Sequence, residues 1–416
     1  MFISGVDVDE LAQSYGTPLV AINVDAIDAS IANLYVACDR HGVEIAYAAK
    51  AFFCVEFGRH LAAHSSLDLD VCSLGELVAA ERSGFAAARI TLHGAGKSDA
   101  ELHAAAEGRV GRIVADSVEE LERLAALVRA RGDGPEIDVM LRLNTGIEAH
   151  THAFVRTGGS DTKFGIARRD EETAAAIVLR VPQLRFVGLH AHLGSQIYDS
   201  APFVANSHAL IEAAARFAAC GLHAERVVVG GGFGVPAHPD DEVAALDAGA
   251  TIAEVARCVR ECAGDLGLAP PRIGIEPGRA VVAASGTTLY RVLAVKRQSR
   301  RAFVIVDGGI YENPRPALYG ARHRIVAVAP SAERPQTMTV CGRTCENDEL
   351  GNAELPSDLR PGALLAMQAT GAYTFSMAGN YNRLPRPAVA AVQAGSHRLW
   401  VRRETLDHVL ANDVGG

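Results

Sequence analysis

The sequence predicts an α/β protein: a parallel (β/α)8 barrel of the TIM type, with a second, discontinuous domain that forms a β-barrel or sandwich. Two observations lead to this prediction. Between residues 43 and 278, eight short apolar runs alternate with helical patterns. After residue 280, similar runs follow one another with little helical pattern between them. Eight strand–helix units suit a closed barrel, whereas an open doubly wound sheet, the competing architecture, usually has fewer strands.

The barrel strands are predicted from runs of apolar and β-branched residues. In chain order, these runs span residues 43–50, 67–72, 89–94, 112–117, 137–144, 184–193, 225–233 and 272–278. Between them, segments such as 117–127 repeat apolar residues at helical spacing. Ser117 and Glu120 match a capping box at the start of that helix. The barrel domain is predicted to cover residues 25–280.

The remaining chain predicts a domain built of strands. Turn residues separate its apolar runs, which span residues 287–297, 302–309, 324–330, 337–342, 363–369, 388–393 and 397–403. Residues 1–24 precede the first barrel strand. We expect them to join residues 281–416 in one discontinuous domain.

Composition limits the classes of function. The chain has 416 residues, 49% of them hydrophobic and 21% charged, which is enough for two packed domains. Its net charge of −9 argues against sequence-independent binding of nucleic acid, which needs a basic surface. No apolar stretch approaches the roughly 20 residues that span a bilayer, and residues 1–5 contain no secretion signal pattern. We therefore expect a cytoplasmic protein with a small-molecule partner, and neither nucleic acid nor membrane.

The eight cysteines are scattered along the chain, which fits free thiols in a reducing compartment better than a disulfide framework. Cys258 and Cys262 lie one helical turn apart, where packing is favoured over metal binding. Cys341 and Cys345 have the spacing of half a zinc site, but no second cysteine pair follows within zinc-finger distance. We expect no metal.

Groups at three predicted strand ends suggest a site for pyridoxal 5'-phosphate. Lys50 ends the first run and supplies an amine, while Gly230-Gly231-Gly232-Phe233-Gly234 ends the seventh and supplies backbone amides for a phosphate. Glu276, followed by Pro277, Gly278 and Arg279, ends the eighth run and supplies a carboxylate for the pyridine nitrogen. Taken singly, each group has a simpler explanation: a surface lysine, a tight glycine turn and a structural salt bridge.

Two histidines near the end of the sixth run suggest a rival function. In a strand, His190 and His192 share a face, and such a pair can bind a divalent metal as in barrel hydrolases. That site would need an acidic ligand and a third histidine from other strand ends. We favour His192 stacked on an aromatic cofactor, with Ser195 bonded to a phosphate or lysine; two structural histidines are the remaining alternative.

The strand-rich domain contributes further candidates for the site. Arg315 and Tyr319 offer a guanidinium for a carboxylate with a phenol nearby, although an exposed loop arginine explains this pattern equally well. Cys345 and Glu346 place a thiol next to a carboxylate. Tyr373 adds a phenol that can reach a phosphate or carboxylate.

These motifs, in this order, resemble the diaminopimelate decarboxylase family, and the similarity extends over nearly the whole chain. The segment 144–166, with Ala149-His150-Thr151-His152 and Thr157-Gly158, is more similar to this branch than to eukaryotic ornithine decarboxylases. The motifs are Tyr47-Ala48-Ala49-Lys50-Ala51, Lys163-Phe164-Gly165, His192-Leu193-Gly194-Ser195-Gln196-Ile197, Gly230–Gly234, Glu276-Pro277-Gly278-Arg279, Arg315-Pro316-Ala317-Leu318-Tyr319, Cys345-Glu346 and Tyr373.

The resemblance implies a fold-type III decarboxylase that works as a homodimer with active sites shared between its subunits. The cofactor would be bound by Lys50, with His192 stacked on the ring, residues 230–234 at the phosphate and Glu276 at the pyridine nitrogen. The expected product is L-lysine, formed with loss of carbon dioxide from the D-centre of meso-diaminopimelate.

The resemblance also implies roles at the substrate. Arg279, Arg315 and Tyr319 would bind the carboxylate that is kept, and Tyr373 would contact both cofactor and substrate. From the second subunit, Cys345 would act as general acid, with Lys50 as the alternative proton donor, and Glu346 would bind the distal ammonium group.

Three departures from the family pattern concern the choice of substrate: Ile310–Pro314, Asn347–Leu350 and Thr374 after Tyr373. They leave two other hypotheses open. One is a related decarboxylase acting on D-ornithine, D-lysine or a carboxylated amine in secondary metabolism. The other is a non-catalytic protein that only binds pyridoxal phosphate, which would need neither Arg315 nor Cys345.

Overall fold

The computed structural model describes residues 1–132, 134–148, 159, 161–238, 240–241 and 243–414. The motif residues Ala149-His150-Thr151-His152 and Thr157-Gly158 lie outside the described residues. Contacts divide the chain into two compact units. We call residues 32–234 and 245–278 the barrel unit, and residues 1–31, 235–244 and 279–416 the strand-rich unit.

The secondary-structure elements follow one another along the chain. The strands are β1 (Phe2–Ile3), β2 (Val6–Asp7), β3 (Leu19–Asn23), β4 (Val43–Ala48), β5 (Leu67–Val71), β6 (Ile90–Leu92), β7 (Arg112–Ala115), β8 (Ile137–Arg142), β9 (Leu184–His190), β10 (Arg226–Val228), β11 (Arg272–Ile275), β12 (Gly286–Arg297), β13 (Ala302–Val306), β14 (Ile325–Ala327), β15 (Pro335–Cys341), β16 (Glu349–Pro356), β17 (Leu364–Gln368), β18 (Ala388–Gln393) and β19 (Ser396–Val401). The α-helices are α1 (Val8–Tyr15), α2 (Val24–His41), α3 (Val55–Ala62), α4 (Leu74–Arg82), α5 (Asp99–Ala106), α6 (Val118–Arg131), α7 (Glu171–Leu179), α8 (Ala201–Ala219), α9 (Ala248–Asp265), α10 (Arg279–Val282), α11 (Arg315–Tyr319) and α12 (Leu406–Leu410).

The barrel unit contains a closed barrel of eight parallel strands, which confirms the predicted (β/α)8 architecture. The strands β4 to β11 pair in chain order, and β11 pairs with β4 to close the ring. Buried Val114, Met140, Val187 and Val228 pack together in one cluster. Because all eight strands are parallel, the residues that follow them meet at one end of the barrel.

Ion pairs occupy the opposite end of the barrel, near the strand starts. Arg226 lies 2.6 Å from Glu44, and Arg112 lies 2.6 Å from Asp68. Barrel enzymes place their catalytic groups at the other end, so these pairs contribute to the fold and not to the chemistry.

The predicted capping box at α6 is only half formed. The Ser117 hydroxyl accepts a hydrogen bond from the Glu120 amide at 3.1 Å. The Glu120 carboxylate instead accepts from the buried ammonium of Lys97 at 2.8 Å and from the Asp116 amide at 3.3 Å. A charged partner competes better for this carboxylate than a backbone amide does.

The strand-rich unit is built on a sheet of nine strands. Along its main path the order is β16-β15-β13-β12-β3-β18-β19, and β17 pairs with both β12 and β14. The early strand β3 lies between β12 and β18, so the start of the chain completes this sheet. Two clusters of buried apolar side chains pack against it, one around Leu19, Leu289 and Val392 and the other around Val304 and Val340.

Strand β16 is missing from the sequence prediction. Its burial alternates, with Leu350 and Leu355 buried, while Glu349 and Glu354 carry charges toward solvent. It lies at one edge of the main sheet path. An edge strand that is half polar gives a weaker apolar run than a central strand does.

Among the described residues, no helix combines the length and the apolar character that crossing a membrane requires.

The segment that departs from the family pattern before Arg315 is largely buried inside the strand-rich unit. Tyr311, Glu312 and Asn313 are all buried, and only Ile310 and Pro314 are partly exposed. The Tyr290 hydroxyl donates to the Glu312 carboxyl at 2.5 Å. Burial raises the pKa of Glu312 to about 8. These departures therefore change how the segment packs inside the strand-rich unit. The sequence suggested that they affect the choice of substrate, but the buried side chains of residues 311–313 are not exposed to one.

Glu312 makes stability depend on pH, and Glu312→Gln is expected to remove that dependence. In the unfolded chain Glu312 ionises near its ordinary value of 4.5, but in the folded protein it keeps its proton up to about pH 8. Its contribution to stability is therefore complete below that ordinary value and is lost as pH rises toward about 8. Glutamine stays neutral and still accepts from Tyr290.

We expect thermal unfolding to show a higher Tm for Glu312→Gln than for the wild type at about pH 8, and similar values at about pH 5. Glu333→Gln, at an exposed position, is the matched control. A change in Tm of equal size at both pH values would contradict the assignment.

Candidate active site

Lys50 lies on a short 3-10 helix, Ala49–Ala51, directly after β4. The buried Tyr47 fixes this turn because its hydroxyl donates to the Phe52 carbonyl at 2.8 Å. Gly278 packs against the same turn: a Cβ at this position would lie 3.0 Å from the Ala51 Cβ. The predicted cofactor residue Gly278 thus serves to let the chain after β11 approach the turn that carries Lys50.

A cluster of acids and histidines lies at the ends of β5, β6, β9 and β11. His190 Nε2 donates to Glu276 Oε2 at 3.0 Å. His93 Nε2 lies 3.4 Å from both Glu276 Oε1 and Asp70 Oδ1. The rings of His93 and His190 meet edge to face, with centroids 5.0 Å apart. The ends of β6, β9 and β11 therefore place one carboxylate, Glu276, between two imidazoles, and β5 places Asp70 next to one of them.

The pKa values of the two carboxyl groups in this cluster are shifted in opposite directions. Burial, reinforced by the negative charge of Glu276, raises the pKa of Asp70 well above its ordinary value. Burial alone would also raise the pKa of Glu276, but the neighbouring His190 and His93 outweigh it, so this pKa lies below its ordinary value. Burial lowers the pKa of His93. At neutral pH, Glu276 is thus ionised, whereas Asp70 keeps its proton to a higher pH than an ordinary aspartate does.

His192 lies just beyond β9, and the glycine-rich loop holds its ring. The amide of Gly231 donates to His192 Nδ1 at 3.1 Å, so the neutral imidazole has its proton on Nε2. Burial, together with the charge of Lys50, lowers the pKa of His192 well below its ordinary value. The structure therefore brings a neutral His192 close to Lys50, whereas His190 points its Nε2 at Glu276.

The glycines of the loop 230–234 stand where a side chain would not fit. A Cβ on Gly231 would lie 2.0 Å from the Glu276 carbonyl oxygen, and one on Gly232 would lie 2.2 Å from the Gly194 carbonyl oxygen. Phe233 instead packs inward, stacked on Phe203 with ring centroids 5.1 Å apart. The loop is also tied to the segment after Ser195, because Ile197 donates to Gly232 and accepts from Gly234.

Not all amides of this loop are available to a ligand. The Gly231 amide donates to His192 and the Gly234 amide donates to Ile197. Within the part of the chain that the structure describes, the amides of Gly232 and Phe233 donate no hydrogen bond. These two N–H groups can therefore bind an anion without breaking an existing bond.

A buried arginine that the sequence analysis missed supports the same end of the barrel. Arg142, at the end of β8, lies 3.4 Å from Asp116, and its guanidinium stacks 4.5 Å from the centre of the Phe164 ring. Asp116 also accepts from the Gly165 amide at 3.2 Å. The Lys163-Phe164-Gly165 motif is thus anchored by Arg142 and Asp116. The signal was an arginine that ends an otherwise apolar run.

In the strand-rich unit, two buried arginines surround Tyr373. The guanidinium carbon of Arg279 lies 4.8 Å from the centre of the Tyr373 ring, and that of Arg315 lies 5.7 Å from it and 5.2 Å from the Tyr319 ring. Both arginines are about 93% buried or more. The arginine at 315 is therefore not an exposed loop residue, which was the simpler explanation of its motif.

The arrangement around Arg315 favours an anionic ligand. Burial, and then the charge of Arg279, lowers the pKa of Arg315 to about 10, so it remains a cation at neutral pH. Among the described residues, Arg315 forms no ion pair. Tyr373 adopts a left-handed backbone with φ of +58°, a conformation that costs energy for a tyrosine and is common at functional sites.

His323 is a further buried residue of this unit that the sequence analysis did not single out. Its Nδ1 lies 3.1 Å from the Gln368 carbonyl oxygen, and so donates to it. Burial, offset in part by this hydrogen bond and reinforced by Arg315 and Arg279, lowers the pKa of His323 to about 4. A neutral ring adds no third charge next to the two arginines. No spacing pattern in the sequence marks this histidine.

Cys345 and Glu346 lie on an exposed segment between β15 and β16. The Tyr381 hydroxyl donates to Glu346 at 2.6 Å, and the Cys345 amide donates to Asn382 at 3.2 Å. Cys341, by contrast, is a buried thiol at the end of β15. The two cysteines of the possible half zinc site therefore have different surroundings.

The metal alternative takes a different form from the one that the sequence suggested. Among the described residues, His192 does not belong to a cluster of possible metal ligands with His190, and its Nδ1 accepts from the Gly231 amide. Instead, ligand atoms of His93, His190 and Glu276 lie within 4.8 Å of one another. This cluster has the composition of a divalent-metal site, but its carboxylate is the same acid that the decarboxylase interpretation uses.

Comparison with known proteins identifies the family. Residues 26–283 match the family described as "Pyridoxal-dependent decarboxylase, pyridoxal binding domain". The diaminopimelate decarboxylase of Actinosynnema pretiosum subsp. auranticum is 42% identical over 100% of this chain and 92% of its own length. The enzyme of that name from Bacillus subtilis is 40% identical over 99% of this chain and 94% of its own.

Solved structures agree with the sequence relatives. The diaminopimelate decarboxylase of M. jannaschii, in complex with L-lysine, matches with a TM-score of 0.91 at 28% identity, over 100% of this chain and 96% of that one. The Helicobacter pylori enzyme, also with L-lysine, matches with a TM-score of 0.86 at 31% identity, over 97% of this chain and 98% of that one. The chain belongs to the diaminopimelate decarboxylase family of pyridoxal-dependent decarboxylases.

Proposed function

We propose that this enzyme removes the carboxylate at the D-centre of meso-diaminopimelate and releases L-lysine and carbon dioxide, as a step of lysine biosynthesis. The family assignment supports decarboxylation with pyridoxal 5'-phosphate. The observation that carries the choice of substrate is the pair of buried guanidiniums around Tyr373. L-Lysine, which is bound in the M. jannaschii and Helicobacter pylori relatives, is the product that we propose here.

The residues of the barrel unit fit pyridoxal phosphate. The free amides of Gly232 and Phe233 suit the phosphate, and Ser195 is a further proposed donor to it. The ionised Glu276 suits a protonated pyridine nitrogen, and Lys50 lies close enough to lower the pKa of His192. When bound, the cofactor supplies an electron-accepting ring for the bond that breaks.

Each barrel residue has a proposed task in that reaction. Lys50 would hold the cofactor through its amine, which the substrate amine would replace. Glu276 would keep the ring nitrogen protonated, and His190 holds the Glu276 carboxylate in place through the 3.0 Å hydrogen bond. His192 would lie against the ring; as a neutral imidazole fixed by Gly231, it would add no positive charge on that face.

The substrate residues belong to the strand-rich unit. Arg279, Arg315 and Tyr319 bind the carboxylate that remains in the product, because buried Arg315 has no anionic partner of its own among the described residues. A substrate without that carboxylate, such as ornithine, would leave the buried cation of Arg315 without an anionic partner and is therefore disfavoured. Glu346 binds the distal ammonium group. Cys345 protonates the α-carbon, and Lys50 is the alternative donor.

We further propose a homodimer in the cytoplasm. Cys345 and Glu346 lie on an exposed segment, which suits residues that complete the site of a second subunit. All eight cysteines are free thiols, which suits a reducing compartment. The two domains would have different roles. Residues 25–280 would bind the cofactor, while residues 1–24 and 281–416 would supply the residues that bind the substrate and form the dimer interface.

Arg315→Met tests the substrate assignment. We expect kcat/KM for meso-diaminopimelate to fall by about 10²- to 10³-fold, because the retained carboxylate loses a buried charge-assisted partner worth roughly 2–5 kcal/mol. The measurement is released carbon dioxide, with meso-diaminopimelate, D-ornithine and D-lysine supplied separately. Arg334→Met, at an exposed position, is the control.

The wild-type enzyme should prefer meso-diaminopimelate, and Arg315→Met should reduce that preference. Release of carbon dioxide mainly from D-ornithine or D-lysine would instead support the related decarboxylase with another substrate. Absence of release from any of the three, in protein that retains pyridoxal phosphate, would support a protein that only binds the cofactor.

A further inference from the structure

We propose that Asp348 and Tyr381 are positioning residues for the Cys345–Glu346 pair: Asp348 fixes the backbone of the segment that carries the pair, and Tyr381 orients the Glu346 carboxylate. This inference rests on the proposed function for the roles of Cys345 and Glu346. It adds two residues that touch neither substrate nor cofactor. It also gives a physical role to the departure at Asn347–Leu350.

Asp348 joins two segments of the strand-rich unit. Its carboxylate is buried, with only 2% of the residue exposed. Oδ1 accepts from the Ile310 amide at 2.5 Å, and Oδ2 accepts from the Thr344 hydroxyl at 2.6 Å and the Thr344 amide at 3.2 Å. One carboxylate therefore holds the segment before Cys345 and the segment that leads to Arg315.

The backbone around Asp348 is shaped to receive this side chain. A Cβ on Gly309 would lie 2.3 Å from Asp348 Oδ2, and a Cβ on Gly342 would lie 2.2 Å from the same oxygen. Gly309 has a φ of +152°. Two backbone hydrogen bonds link the same segments: Gly342 donates to the Asp348 carbonyl at 2.8 Å, and Arg343 donates to the Gly308 carbonyl at 3.2 Å. Both glycines are thus needed for the carboxylate to fit.

A second set of hydrogen bonds, from the turn at residues 380–383, holds Cys345 and Glu346 on their exposed side. The turn at residues 380–383 brings Asn382 to the Cys345 amide at 3.2 Å and the Tyr381 hydroxyl to Glu346 Oε1 at 2.6 Å. Asn382 is in the left-handed region with φ of +54°. The hydrogen bond to Glu346 raises the pKa of Tyr381, so the phenol stays a donor.

The contacts of Tyr381 and those of Asp348 should affect different steps of the proposed reaction. With one Glu346 oxygen bonded to Tyr381, the other oxygen is left for an ammonium group, so Tyr381 should affect binding of the distal end of the substrate. Asp348 acts on the backbone on both sides of the pair. It should therefore affect the delivery of a proton by Cys345, which depends on its position relative to the α-carbon.

The test of Asp348 uses hydrogen exchange and does not depend on activity. In Asp348→Asn, the side-chain amide cannot accept from both Ile310 and Thr344, so exchange in peptides that cover residues 308–312 and 342–347 should become at least about tenfold faster. Asp358→Asn, which removes a carboxylate from an exposed hydrogen bond with Ser331, should leave both peptides unchanged. Unchanged exchange in Asp348→Asn would overturn the role of Asp348.

Thr344 provides a milder variant in case Asp348→Asn does not fold. Thr344→Val removes only the hydroxyl that donates to Oδ2, and Thr344→Ser retains it. We expect faster exchange of residues 342–347 and a lower kcat in the valine variant, with both restored in the serine variant. Equal behaviour of the two variants would overturn the proposal.

Tyr381→Phe separates orientation of Glu346 from general stability. We expect KM for meso-diaminopimelate to rise by about tenfold with kcat changed less than about twofold, because a hydrogen bond to a charged group is lost at the binding end only. Tyr15→Phe, which removes the hydroxyl bonded to His397, should leave KM unchanged. A lower Tm with unchanged KM would overturn the role of Tyr381. If the wild type does not act on meso-diaminopimelate at all, the proposed function fails, whereas the exchange results still decide the role of Asp348.

Discussion

Replacing Lys50 by alanine is expected to abolish decarboxylation and to remove the visible absorption band of bound pyridoxal phosphate. Lys50 is the proposed covalent anchor of the cofactor, and it lies at the end of β4 near His192. Without its amine, the cofactor loses its attachment and the reaction loses a proton acceptor and donor. We expect activity to fall by about 10³-fold or more. Absorption spectra and carbon dioxide release on the same sample measure both effects.

Lys296→Ala is the matched control for this experiment, because it removes a lysine from β12 at an exposed position. It should retain both the band and the activity. A visible band of full intensity in Lys50→Ala would show that another residue holds the cofactor. Loss of activity with an unchanged band would limit Lys50 to a role in proton transfer.

The barrel could be predicted from sequence because its strands are buried on both faces. Such strands appear as continuous apolar runs, and the helices between them keep the spacing regular. All eight predicted runs contain a strand of the barrel, although most of the strands end a few residues earlier than the runs. The residues at the ends of the predicted runs, such as Lys50, His192 and Glu276, therefore lie just after the strands, and they are the candidate active-site residues.

The strand-rich unit was harder to predict because its edges face solvent. Strand β16 alternates buried leucines with glutamates, and its pattern is broken by Gly351. The partial capping box at Ser117 failed for another reason. A local motif cannot foresee that Lys97, twenty-three residues before Glu120, will bind its carboxylate.

Parts of the site depend on closure of the barrel and leave no local signal. Asp70 and His93 come from β5 and from the residue after β6, but they meet Glu276 only because β11 pairs with β4. The opposite pKa shifts of Asp70 and Glu276 depend on that meeting, since two neighbouring buried carboxyl groups do not both ionise readily. The sequence pattern points to Glu276 and His190, but nothing in it marks Asp70 or His93 as their neighbours.

The same limit applies to the glycine-rich loop. Its sequence predicts a tight approach of backbone to a ligand, and the structure adds which amides are committed elsewhere. His192 occupies the Gly231 amide and Ile197 occupies the Gly234 amide, which leaves Gly232 and Phe233 to donate. The histidine and the loop therefore support each other: the loop fixes the tautomer of His192, and the bond to His192 leaves the amides in the middle of the loop for the proposed phosphate.

Mixing two inactive variants is expected to restore activity if active sites are shared between subunits. In a dimer of Lys50→Ala with Cys345→Ala, one site would combine the intact barrel residues of one subunit with the intact Cys345 of the other. Random pairing of equal amounts makes about half of the dimers mixed, each with one intact site of two, so about a quarter of wild-type activity should return. Carbon dioxide release would be measured on the whole mixture and on mixed dimers purified through two different tags, which should show about half of wild-type activity.

The matched control mixes Lys50→Ala with Glu276→Gln. Both residues lie in the barrel unit, at the ends of the paired strands β4 and β11. Every site of a mixed dimer would then lack one of them, so activity should stay absent. Because the two mixtures share one variant and the same pairing step, the difference between them depends only on whether Cys345 reaches the site from the other subunit. No recovery in the first mixture would contradict shared sites, and equal recovery in both would contradict the assignment of Lys50 and Glu276 to one subunit.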